Sequence, residues 1–158
     1  MKKFYYPRGN PQRYWEYWDN EDGSHTVHWG ELGTEGESTV IKRRLLTSSR
    51  SQVLKLEKEF KSEGYEEIDF DDQHVLLIEY TVDGFGNAGD LNKRHSLESY
   101  MNEVLGWTGL GHCDGGSIGS DTMEVCCFVV DYEMARQVVI ERLRETEFSD
   151  YSRIYQER

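Results

Sequence analysis

The feature that most restricts how this chain can fold is a pair of turn-forming segments, Asn20-Glu21-Asp22-Gly23 and Gly33-Thr34-Glu35-Gly36, set between runs rich in aromatic residues. Arg13 to Trp18 brings Tyr14, Trp15, Tyr17 and Trp18 together, a composition typical of a strand. The first turn returns the chain into Ser24 to Leu32, and Gly33 and Gly36 supply positions where a positive φ is easily adopted. Ser38 to Leu45 then provides a third strand. Connections this short join antiparallel neighbours, so residues 13–45 read as a meander. The residues before it, including Arg8-Gly9-Asn10-Pro11, read as an arm leading into the first strand.

A helix follows. Thr47-Ser48-Ser49 offers hydroxyls for its N-cap, Val53, Leu56 and Phe60 recur at spacings of three and four beside Leu54, and Gly64 suits the C′ position. Trp15 and Trp29 are expected in the core of so small a domain, with Tyr17 and Trp18 open to either side. Residues 66–73 are expected as a short pairing segment and linker. The order Trp15-Glu16, then Trp29-Gly30-Glu31-Leu32-Gly33-Thr34-Glu35-Gly36, then a helix closing on Lys61-Ser62-Glu63-Gly64-Tyr65, resembles the WGR domain. That family accompanies the catalytic region of some poly(ADP-ribose) polymerases and occurs in bacterial proteins labelled molybdate-regulator-like. The resemblance spans roughly residues 10–70 and implies an antiparallel sheet with one helix, whose surface touches nucleic acid or a neighbouring domain. Glu31 departs from it, standing where the motif has arginine.

Charge divides the chain. The net value of −12 argues against a general polyanion-binding surface, yet residues 42–61 hold seven Lys and Arg against two Glu. Lys42, Arg43, Arg44, Arg50, Lys55 and Lys58 in that stretch are the candidate contacts to nucleic acid or a partner, with Glu31 and Trp18 beside them. The competing reading is a solvated helix face. Residues 73–158 hold seven Lys and Arg against fifteen Asp and Glu, so the balance shifts where the hydrophobic pattern restarts. Domains at 1–72 and 73–158 follow from both observations.

In the second half, His74 to Val82 is an apolar run of β type, and Leu97, Tyr100, Met101, Val104 and Leu105 form a helical stripe stopped by Gly106. Residues 109–122 suggest an irregular strand, Met123 to Val130 a buried one, Asp131 a cap on a helix reaching Leu143, and Tyr151 to Gln156 a last strand. The order β-α-β-β-α-β predicts a ferredoxin-like sandwich, so the whole chain is expected to be α+β.

The chemical motifs are weak. Gly84-Phe85-Gly86-Asn87-Ala88-Gly89 fits G-x-G-x-x-G, but a dinucleotide site needs a helix opening at those glycines, whereas the apolar stripe starts well downstream. The segment from His112 to Asp121 concentrates ligand types, and His112, Cys113, Asp114, Ser117 and Ser120, with Trp107 as a wall, are the candidate ligand loop. No second pair of ligands stands at zinc spacing, and no third group orients a Cys113-His112 pair for nucleophilic attack. Phe128 to Tyr132 is similar to the third strand of an RNA-recognition motif, but Met123 to Cys127 lacks the basic residue, the glycine and the stacking aromatic that an RNA surface requires. No catalytic set, metal or cofactor is expected.

With three cysteines, Cys126 and Cys127 adjacent, a disulfide framework is not expected and the thiols are read as reduced. No apolar run is long enough to span a bilayer, so the chain reads as cytoplasmic with no membrane partner. The expectation is a non-catalytic two-domain regulator or adaptor whose WGR-like domain contacts nucleic acid or a protein. An acidic inhibitor or immunity-type protein masking a basic partner, and a small-ligand protein or enzyme using residues 109–121, are the alternatives. A homodimer through the ferredoxin-like sheet is a further expectation.

Overall fold

Alternation of aromatic and polar residues builds the first sheet. β1 (Lys2–Tyr6), β2 (Arg13–Asp19), β3 (His25–Glu31) and β4 (Glu37–Ile41) pair antiparallel in the order β1-β2-β3-β4. The computed structural model describes residues 1–157, the side chain of Phe70 aside. Helix α1 (Ser49–Glu63) lies against one face of the sheet. Ser48 caps it by accepting from Ser51 N at 3.0 Å, and Gly64, at φ 102°, closes it in the left-handed region where a side chain would be strained. The face it covers buries Phe4, Trp15, Val27 and Val53, with Trp15 stacked on Phe60 at 4.8 Å. Trp29 packs at the edge of this cluster and is half-buried.

Three expectations need correction in this unit. The residues before Arg13 are not simply an arm, because Lys2–Tyr6 pairs with β2 from Lys2↔Tyr17 to Tyr6↔Arg13. Phe4 is fully buried, its ring 5.5 Å from that of Trp15, and a five-residue strand is too short for its alternation to stand out in sequence. β4 ends at Ile41 rather than at Leu45. The pairing expected of residues 66–73 reduces to one bridge, Tyr5↔Glu66.

The chain separates into two compact units, the second starting at Phe70. There β5 (His74–Thr81), β6 (Gly111–Gly119), β7 (Thr122–Val129) and β8 (Arg153–Gln156) form an antiparallel sheet in the order β6-β7-β5-β8. α2 (Ala88–Trp107) packs on β6 and β7, α3 (Tyr132–Leu143) on β5 and β8, and the helices touch each other. Their stripes, Leu97, Met101 and Leu105 on one and Ala135, Val139 and Leu143 on the other, are fully buried, as are Leu76, Ile78, Met123 and Val125 on the strands. Asp131 caps α3, accepting from Met134 N at 2.9 Å. The described residues thus form a mixed α+β chain with three helices and two four-stranded antiparallel sheets.

The cysteine reading is corrected here. The register sets Cys113 opposite Cys127, and the two are joined as a disulfide. Cys126 points to the opposite face and remains a thiol, its pKa pushed up by burial. Which cysteines meet depends on strand register, and no spacing in the sequence encodes it.

Candidate functional site

The basic residues between β4 and α1 line a groove. β4 ends at Ile41, and the following Lys42, Arg43 and Arg44 turn beside the first half of α1, which contributes Gln52, Lys55 and Leu56. Together with Thr39, Val40, Ile41 and Glu59 they enclose an open cavity of about 670 Å³. Lys55 pairs weakly with Glu59 at 3.8 Å across an exposed helical turn. Among the described residues, Lys42, Arg43 and Arg44 have no carboxylate within ion-pair distance. Gln52 Nε2 donates to Lys42 O at 3.0 Å and to Ser48 O at 3.3 Å, fixing the loop against the helix. Such a site can hold a phosphate or carboxylate by charge and by guanidinium hydrogen bonds.

Not all the expected contacts gather there. Arg50 and Trp18 instead line a smaller cavity of about 160 Å³ with Tyr17, His25 and Leu54. Lys58 is exposed on α1 and lines neither cavity. Glu31 closes β3 opposite Arg13, while the start of that strand, His25, faces Ile41 at the groove. Six strand steps at about 3.3 Å each put Glu31 on the order of 20 Å from the Ile41 end of the groove, where the cations stand, and about 13 Å from its Thr39 wall, which pairs with Val27. Its described part in the fold is to end the strand: its carbonyl accepts from Thr34 N at 3.1 Å and Thr34 Oγ1 at 2.9 Å.

The candidate ligand loop is not a loop. His112, Cys113, Asp114 and Ser117 lie along edge strand β6, which bulges between Cys113 and Gly116, while Ser120 sits in the turn to β7. His112 stacks on Phe128 at 5.6 Å, Cys113 is bonded to Cys127, and Ser117 Oγ donates to Glu124 Oε2 at 3.0 Å. Trp107 ends α2, half exposed. Alternate faces and a run of roughly 25 Å from His112 to Ser120 keep these groups from converging. The glycine motif is also placed differently from expectation, since α2 begins at Ala88, directly at the glycines. Asn87 Oδ1 already takes the amides of Gly89 and Asp90, and the Asp90 carboxylate stands at the same helix end, repelling a pyrophosphate. Among the described residues no group of three His, Cys, Asp or Glu is placed to hold a metal.

No family model, curated protein or solved structure matches this chain.

One constellation was missed by the sequence reading. Lys3, Tyr14, Glu16 and His28 project from the sheet face opposite α1, where period-two alternation puts them. Tyr14, Glu16 and His28 are buried, at 1%, 3% and 1% exposure. His28 Nδ1 lies 2.7 Å from Glu16 Oε1, and Nε2 lies 3.0 Å from Tyr14 Oη. Lys3 Nζ stands 3.0 Å from Glu16 Oε2 as an ion pair. The Tyr14 hydroxyl accepts from the Gly36 amide, and burial, then the charge of Glu16, raises its pKa well above the ordinary value. Its own proton therefore goes to His28 Nε2, which leaves the Nδ1 proton for Glu16.

This network explains two glycines of the sequence signature. A side chain on Gly36 would collide with the Trp29 carbonyl and the Tyr14 hydroxyl, and one on Gly30 would come within 2.8 Å of the Gly36 Cα. The turn is thus fastened to the sheet through Tyr14. The signal available in the sequence was a glutamate inside an aromatic strand, two residues from Tyr14 and facing away from Trp15.

Proposed function

We propose that the chain is a non-catalytic, two-domain binding protein whose first unit is a WGR-like domain that docks nucleic acid through the groove between β4 and α1. The observation that supports this reading is the set of exposed cations, Lys42, Arg43, Arg44 and Lys55, that share one open cavity. The glycine turn and the single helix against an antiparallel sheet agree with the resemblance, which implies a nucleic-acid or partner contact. Glu31 is set apart from the groove, so its departure from the motif leaves this contact undisturbed. The second unit, with strand order β6-β7-β5-β8 and both helices packed beside one another, is in this reading a ferredoxin-like domain that serves as the partner-binding half.

The contact is electrostatic. Four cations on phosphates give a log-log salt slope near −3.6 on duplex DNA, at about 0.9 per contact. Replacing Arg43 and Arg44 together by Ala is expected to flatten that slope by about 2. Fluorescence anisotropy of a labelled duplex across a salt series measures both values, and no binding by the wild type at low salt refutes the proposal. The net charge of −8 in residues 73–158 favours a basic protein as the second unit's partner. Co-purification of a basic protein with residues 70–158, lost at high salt, tests that half.

A further inference from the structure

Residues 38–56 hold Lys42, Arg43, Arg44, Arg50 and Lys55 and no acid, in a chain with 30 Asp and Glu. In the middle of this stretch Leu45 and Leu46 occupy a two-residue turn closed by Arg44 N to Thr47 O at 2.9 Å and Thr47 N to Arg44 O at 3.3 Å. The two residues are 96% and 94% exposed, more than any other large hydrophobic residue described. A pair of leucines held in water by a hydrogen-bonded turn contributes nothing to the core and marks a contact surface. Arg43 lines both the groove and a second cleft of about 500 Å³ shared with the leucines, Ser48 and Ser49.

We infer that Leu45 and Leu46 form a wedge that enters the base stack of a duplex while the cations of the adjoining groove take its phosphates. This inference rests on the nucleic-acid reading of the groove and adds what the turn does there. The occupant must be anionic outside and apolar just beneath, because cations surround the tip and hydrocarbon forms it. A duplex has both properties, with phosphates at the surface and stacked bases within. A bilayer shares them, but the tip adjoins, through Arg43, the groove assigned above to a duplex, since that guanidinium lines both the groove and the cleft beneath the leucines. Apolar side chains inserted between base steps unstack them, most easily at pyrimidine–purine steps.

The test uses the full chain and a duplex of about 16 base pairs with 2-aminopurine as the adenine of a central TA step. Binding by the wild type is expected to raise the 2-aminopurine fluorescence, which reports unstacking. The Leu45→Ser/Leu46→Ser variant, which alters two side chains already in water, is expected to fold as the wild type does by circular dichroism. It should bind about tenfold more weakly, keep the salt slope, and lose the fluorescence rise. A wild-type complex without that rise, or a variant that retains it, overturns the wedge and leaves the groove reading standing. No duplex binding at low salt sinks the groove reading and the wedge with it. Wild type that ignores the duplex but sediments with phosphatidylserine–phosphatidylcholine vesicles, with the leucine variant failing to do so, assigns the tip to lipid and overturns the proposal.

Discussion

Replacing Tyr14 by Phe removes one oxygen from a buried hydrogen-bond chain while keeping the ring that fills the space. Two partners are stranded: the His28 Nε2 acceptor, 3.0 Å from the hydroxyl, and the Gly36 amide that donates to it. The buried His28 acceptor left without a partner costs about 1–3 kcal/mol and the Gly36 amide, only half-buried and open to water, about 1 kcal/mol, so the change should destabilise the first unit by about 2–4 kcal/mol. A unit of that size is worth roughly 3.5–10 kcal/mol in all, so the loss removes a large share of its stability. Urea unfolding followed by tryptophan fluorescence measures the loss. Trp15, Trp18 and Trp29 report the first unit, and Trp107 is removed from the signal by Trp107→Phe in both proteins. With a urea dependence of about 1 kcal/mol/M, the midpoint should fall by about 2–4 M. Hydrogen exchange should also show the Gly36 amide losing protection. A midpoint shift below about 0.5 M, with Gly36 still protected, would refute the assignment of the hydroxyl as the pin that holds the turn.

Glu57 makes the first unit sensitive to acid. Burial disfavours its charge, but hydrogen bonds from Lys61 at 2.9 Å, Tyr17 at 2.8 Å and Lys2 at 3.3 Å overcome that and hold its carboxyl below the usual range. A depressed folded pKa stabilises above the unfolded value of about 4.3 and stops doing so as pH falls through the folded one. The stability of wild type should therefore drop more steeply than that of Glu57→Gln in this acid range, and parallel pH profiles would contradict it. Glu31→Arg is expected to change duplex affinity less than about twofold at physiological salt, because screening acts over about 8 Å and Glu31 lies far along the strand from the groove. A large gain in anisotropy titration would place Glu31 on the binding surface after all. Gly36→Ala should destabilise the first unit at least as much as Tyr14→Phe, since its methyl meets backbone as well as the Tyr14 hydroxyl; a thermal midpoint equal to wild type would contradict the packing.

The sequence by itself determined what depends on near neighbours. Turns at Gly23 and Gly33, the caps Ser48, Gly64 and Asp131, and the 3.6-residue stripes of α1 and α3 follow from local backbone and solvent preferences, and they stand in the structure. The clustering of Lys42 to Arg44 with Lys55 could be anticipated because the strand end and the helix are joined by a short loop. What the tertiary structure alone decided required residues far apart to meet. β1 exists because Phe4 finds Trp15, whereas the start of α2 at Ala88 is local, set by an Asn87–Asp90 capping box three residues apart that lies ahead of the apolar stripe. Cys113 meets Cys127 through a strand register interrupted by a bulge. The Lys3–Glu16–His28–Tyr14 network needs three strands in register before any of its bonds can form. The separation of Glu31 from the basic groove is likewise a matter of which strand end each occupies: period and composition say which residues face together along one strand, whereas distance across a sheet is set only when the strands have paired.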